Sequence, residues 1–143
     1  MTFITLEKII SENSVKNFAG SVVKITDLKN YLQYLKEKNA SVQIIGCQPT
    51  EGSKIPGIRR WPVEYLPKIY DPKRVDRVMD ISEQEARIMA NRLAKEEAVF
   101  SGMSSGGAVS AAVKLAQELN EGIIVCIICD RGDRYLSSDL FGN

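Results

Sequence analysis

The sequence predicts an α/β fold with a parallel sheet flanked by helices. Two observations carry that prediction. Val42 to Cys47 and Ile123 to Cys129 are continuous apolar runs rich in β-branched residues, the pattern of strands buried on both faces of a parallel sheet. Between and around them lie three stretches with helical periodicity, and strands alternating with helices at such spacings make parallel α/β layers.

The elements follow in order. Val22-Val23-Lys24-Ile25-Thr26 is a candidate strand, although the leading segment is not evidently part of the sheet. Asp27 is placed to cap a helix whose Leu28, Tyr31, Leu32 and Leu35 share a face. Val75 to Ile81 is a weaker strand than the two apolar runs. Ser82-Glu83-Gln84-Glu85 is a capping box, with Ala86, Met89, Ala90 and Leu93 following at helical spacing. A third helix opens at Ser104-Ser105-Gly106-Gly107 and runs to about Asn120. Gln48 to Pro72 differs from all of these, because it holds all five prolines together with Gly52 and Gly57. A connection of that length is usually functional or mobile.

Composition narrows the chemistry. A chain of 143 residues suffices for one domain with a real core. Nineteen basic residues against eighteen acidic ones leave a net charge of +1, so no basic surplus points to nucleic acid or a membrane surface. No apolar run is long enough to cross a bilayer, and the first residues lack a signal peptide's basic and apolar regions. The expected location is cytoplasmic. With no histidine, the chain cannot build a Ser-His-Asp or Cys-His site or a histidine metal site. Cys126 and Cys129 form a C-x-x-C, but residues three apart in a strand point to opposite faces. A structural zinc site needs four ligands, and the others are not apparent. No metal ligands are assigned.

Three segments have the makings of a site. Met103-Ser104-Ser105-Gly106-Gly107-Ala108-Val109 starts a helix, where glycines let a ligand approach free N–H groups; equally, Ser104 is an N-cap and the glycines serve packing. Cys129-Asp130-Arg131-Gly132-Asp133-Arg134-Tyr135 follows the strongest strand, at the end where α/β sheets bind ligands. It is either a site or a solvated turn tied by local ion pairs. Ile55 to Pro62 joins the single Trp61 to Arg59 and Arg60, which suits anion or partner recognition, unless Trp61 packs on the sheet.

The run from Gln48 to Pro67, the run Ser101 to Val109 and the run Ile127 to Ser137 are each similar to the cysteine synthases of the B type, the O-acetylserine sulfhydrylases B. They occur in that family's order and spacing from about Tyr34 to Gly142. Arg-Arg-Trp-Pro and Cys-Asp-Arg-Gly-Asp-Arg resemble the B type rather than the A type. The resemblance implies a fold-type II, tryptophan synthase β-like enzyme, a homodimer with pyridoxal phosphate between two α/β domains. It implies a reaction that makes L-cysteine from O-acetylserine and sulfide or thiosulfate. By the same resemblance Ser104 lies near the cofactor's pyridine nitrogen, and Cys129 takes a neighbouring pocket position. Arg59 and Trp61 border the substrate entrance.

The resemblance also implies losses. The family's Schiff-base lysine belongs to an N-terminal domain without a counterpart here, so no catalytic residue is assigned. Ser14-Val15-Lys16-Asn17 is similar to the lysine motif for three residues, but in the family that motif comes most of a domain earlier. The family's Gly-Thr-Thr-Gly-Thr phosphate loop should fall near Val23 to Asp27, which holds no glycine. The division expected is therefore a segment 1–33 unlike the family, from a frameshift, fusion or misplaced start, and an α/β region 34–143. The chain is expected to be an inactive part of a cysteine synthase that does not hold pyridoxal phosphate alone. The alternatives are a non-catalytic module that associates with an intact synthase, and a folded remnant without a role.

Overall fold

The computed structural model describes residues 2–7, 33–66 and 70–142, the first stretch as backbone only. Asp27 with Leu28, Tyr31 and Leu32, the candidate strand Val22 to Thr26, Lys16 and the Val23 to Asp27 stretch all lie outside the described residues.

Four strands make one sheet in the order β3-β2-β1-β4, with β1 at Thr2–Glu7, β2 at Gln43–Pro49, β3 at Arg77–Ile81 and β4 at Ile123–Cys126. β2 and β3 are parallel, with Cys47 opposite Met79. β1 runs antiparallel to both β2 and β4, pairing Ile4 with Ile45 on one side and with Cys126 on the other. β2, β3 and β4, the three strands expected from sequence, therefore share one direction, as the α/β pattern predicts. The leading segment departs from expectation: Thr2–Glu7 is an inner strand of the sheet. Its alternation over six residues is too short to signal a central strand without knowledge of its partners.

A described helical stretch at 33–38 (α1) precedes β2. α2, Glu83–Glu96, begins at the capping box read from sequence: the Ser82 side chain accepts from the Glu85 N–H, and the Glu85 carboxylate accepts from the Ser82 N–H at 2.7 Å. α3 spans Met103–Glu118 and is capped by Gly102. Ser104 thus lies inside the first turn, and its reading as an N-cap is corrected. α2 and α3 cross at Gly106, where an added Cβ would meet the Ala86 carbonyl oxygen at 2.2 Å and the Ala90 nitrogen at 2.7 Å. This glycine serves helix packing.

The core lies between the helices and one face of the sheet, where Ile45, Cys47, Met79 and Ile81 meet Ala86, Ala90 and Leu115. Fully burying side chains of this size stabilises by about 1.5–3 kcal/mol each for the larger ones. β2 is buried on nearly its whole length, as its composition predicts. β4 is not: Ile124 and Cys126 pack against the core, while Ile123 and Val125 are exposed. The strand also stops at Cys126, short of the expected Cys129. The long Pro-rich segment is firmer than its composition implies, because Ile55 and Ile58 bridge to each other and are both buried.

Candidate functional site

The site forms where the start of α3 meets the chain leaving β4. Beyond β4 the backbone runs antiparallel beside the residues that lead into α3. Ser101 bridges to Arg131, the Gly132 N–H donates to the Phe100 carbonyl at 3.0 Å, and the Gly102 N–H donates to the Asp130 carbonyl. Two glycines make the approach possible. A Cβ on Gly132 would strike the Phe100 ring at 2.7 Å, and one on Gly102 would lie 2.2 Å from Asp130 Oδ2.

This apposition places the Asp130 carboxylate among hydroxyls. Ser104 Oγ donates to Asp130 Oδ1 at 3.2 Å and Ser105 Oγ donates to the same oxygen at 3.0 Å. The Tyr135 hydroxyl donates to Oδ2 at 2.5 Å. A carboxylate only accepts, so the donor sense of all three is fixed. Ser105 Oγ in turn accepts the Cys129 N–H at 3.0 Å. Burial, together with the bond to Asp130, pushes the Tyr135 phenol up to about 12.

Over this cluster lies the turn from Ile55 to Ile58. Gly57 has φ +90, and a Cβ there would sit 3.0 Å from Ser104 Cβ and 3.2 Å from Ser104 Oγ. Ser104 is only 3% exposed. Ser101 is fully buried, and its hydroxyl has no hydrogen-bond partner among the described residues.

The residues read from sequence are placed as follows. Ser104 and Cys129 come together through Ser105, but Cys129 takes part with its backbone; its side chain is exposed and directed to the Ile127 carbonyl at 3.5 Å. Arg59 and Trp61 follow the Gly57 turn in the chain. They pair with each other, the guanidinium 5.9 Å from the ring centroid, and both are exposed. Trp61 therefore does not bury its ring against the sheet. Arg60 is held by Asp80 at 2.6 Å and by the Pro49 carbonyl.

The C-x-x-C residues part company, with Cys126 packed inward and Cys129 outside the strand. Burial pushes the Cys47 thiol up to about 12 and that of Cys126 up to about 11, so both remain protonated and unreactive at neutral pH. Among the described residues no group of three or more His, Cys, Asp or Glu is arranged to hold a metal ion.

Asp130, Ser105, Tyr135 and Gly57 are site residues that sequence reasoning did not single out. Asp130 sits in a motif legible as a charge cluster at a strand end. Two of its neighbours, Arg131 and Asp133, do form the local ion pair a solvated turn would have, at 2.6 Å. What the pattern could not show is that Asp130 turns inward while its neighbours face water.

Against the cofactor implied by resemblance, the arrangement is closed. The Ser104 hydroxyl donates its one O–H to Asp130 and is covered by the Gly57 turn. A pyridine ring cannot reach it without displacing a turn anchored by two buried isoleucines. As they stand, these residues do not fit that ring, and no step is derived through it.

Comparison with known proteins places the chain. A family model described as pyridoxal-phosphate dependent enzyme matches residues 31–130. The cysteine synthase B of Pseudomonas aeruginosa is 56% identical over 128 residues, covering 90% of this chain and 43% of that protein. The cysteine synthase B of Escherichia coli strain K12 is 44% identical over 128 residues, again 90% of this chain and 42% of that protein. Among solved structures, a cysteine synthase from Entamoeba histolytica superimposes with a TM-score of 0.70 at 35% identity, covering 78% of this chain and 36% of that one. An O-ureido-L-serine synthase does so with a TM-score of 0.71 at 28% identity, covering 80% of this chain and 38% of that one. The chain spans about two-fifths of the length of the curated relatives it matches. Among the described residues no helix is long and apolar enough to cross a membrane.

Proposed function

The chain belongs to the pyridoxal-phosphate dependent enzymes, and from that premise we propose that it is the C-terminal part of a cysteine synthase B, inactive by itself. The activity it would share in is the formation of L-cysteine from O-acetylserine and sulfide or thiosulfate. The observation that carries this reading is the closed start of α3. There Ser104 is bonded to Asp130 and covered by the Gly57 turn.

The hydroxyls and Asp130 would orient one end of the cofactor only after the Gly57 turn has moved. Moving it means uncovering Ile55 and Ile58, at about 1.5–3 kcal/mol for each buried side chain exposed. Contacts from the remaining three-fifths of a synthase would have to offset that cost. Arg59 and Trp61, already paired and exposed, would meet an anionic sulfur donor at the rim, where a guanidinium recognises oxyanions.

The test is to purify the chain with pyridoxal phosphate, record absorbance between about 400 and 450 nm, where an internal aldimine absorbs, and assay cysteine formation. The expected result is neither a band nor product. A borohydride-reducible adduct at one specific lysine, or turnover, would overturn the reading.

A further inference from the structure

Within Arg59-Arg60-Trp61, only Arg60 makes polar bonds to the sheet among the described residues. Its Nη2 meets Asp80 Oδ1 at 2.6 Å and its Nε donates to the Pro49 carbonyl at 3.2 Å. Asp80 lies on β3 and Pro49 ends β2, and the two strands are parallel there, with Gln48 opposite Asp80 and Pro49 opposite Ile81. One guanidinium thus ties the Pro-rich segment to the C-terminal ends of two adjacent strands, a task for a planar fork with several donors.

On either side of this anchor the backbone is already held. Ile58 is buried and bridges to Ile55. Trp61 precedes Pro62, which confines it to extended backbone. In an extended stretch neighbouring side chains point to opposite sides. Anchoring Arg60 on the sheet therefore turns Arg59 and Trp61 to the other side together, where the guanidinium lies 5.9 Å from the ring centroid. Arg59 has no ion pair among the described residues, so its donors stay open to an anion. The anchor itself contributes little to the fold. The side chains of Arg60 and Asp80 are 46% and 53% exposed, and exposed pairs stabilise weakly.

We propose that Arg60 and Asp80 are positioning residues, which hold the Arg59–Trp61 pair in the geometry that receives an anionic sulfur donor. This deepens the reading of that rim given above and rests on it for the identity of the donor.

The experiment uses the full chain, in which Trp61 is the single tryptophan and reports on this pair alone when excited beyond the absorption of tyrosine. Asp80→Asn and Arg60→Gln should each lower the steady-state anisotropy of Trp61 and make its emission more readily quenched by acrylamide, with urea midpoints unchanged. The double variant should be no looser than Arg60→Gln, because both substitutions act through one pair. Thiosulfate titrated against the natural chain and Asp80→Asn supplies a second readout, in which charge and positioning predict opposite signs. Removing a carboxylate near the rim would by itself strengthen binding of an anion. Loss of positioning should instead weaken it roughly two- to tenfold, the cost of ordering a long side chain on binding. Unchanged anisotropy and quenching in either variant would overturn the proposal, as would equal or tighter thiosulfate binding by Asp80→Asn. So would a urea midpoint that falls with either substitution, because the pair would then be a support of the fold. If the natural chain binds no thiosulfate, the sulfur-donor reading of the rim falls, and the Trp61 measurements still decide whether Arg60 and Asp80 hold the pair.

Discussion

Ser101 shows how unevenly polar groups are satisfied around α3. Ser104, Ser105 and Tyr135 all donate hydrogen bonds to one carboxylate, while the fully buried Ser101 hydroxyl has no partner among the described residues. Leaving a buried hydroxyl unpaired costs more than its hydrogen bond would return. Ser101→Ala is therefore expected to raise stability by about 1 kcal/mol in urea unfolding; a loss of that size would show that the hydroxyl is bonded after all. The same contrast explains what residue types alone reveal. Ser104 stands out because a serine at a helix start before two glycines is a recognisable pattern. Asp130 does not, because its importance comes from Gly102 and Gly132 letting two stretches of chain meet. That contact joins residues 28 positions apart and leaves no periodic trace.

At the level of elements, the helices were the most legible. The capping box of α2 depends on residues three apart, so Ser82 and Glu85 announce it directly. Glu85 then does more than its position implies. Burial would raise its pKa, but bonds from Lys114 and from Ser82 outweigh it and hold the carboxyl down at about 2. A carboxyl depressed below its ordinary 4.5 contributes stability that is present above about pH 4.5 and lost as pH falls towards about 2. Its side chain is 36% exposed, so solvent screening limits that contribution to about 1 kcal/mol. Urea midpoints measured from pH 5 down to about 2 should fall more steeply for the natural chain than for Glu85→Gln; equal slopes would remove the charge from the account. Gly106 makes the complementary case, a residue legible as special yet ambiguous in purpose. Gly106→Ala would drive a methyl into the Ala86 carbonyl and force α2 from α3. We expect a loss of about 3 kcal/mol, read as a lower unfolding midpoint. A variant as stable as the natural chain would mean that the helices are not packed this closely.

Across the whole molecule, strand identity was readable and strand neighbourhood was not. Val42 to Cys47 and Ile123 to Cys129 declare themselves by β-branched apolar content, but content does not say which strand lies beside which, nor that β4 has one exposed face. The least legible feature is β1, which joins the pair β2–β3 to β4. Its two partners lie about 40 and about 120 positions away in the chain. On the ribosome that separation becomes time. β1 is made before both partners and can settle on β2 once residue 49 is free, but its other side must wait for β4, about 120 residues further along. During that interval β1 is itself a bare edge, and closing it needs a loop that spans most of the chain, the slow and aggregation-exposed kind of pairing. A nascent chain stalled anywhere between Pro49 and Ile123 would present half a sheet with an open seam, and a chaperone that holds such seams would find this protein at that stage.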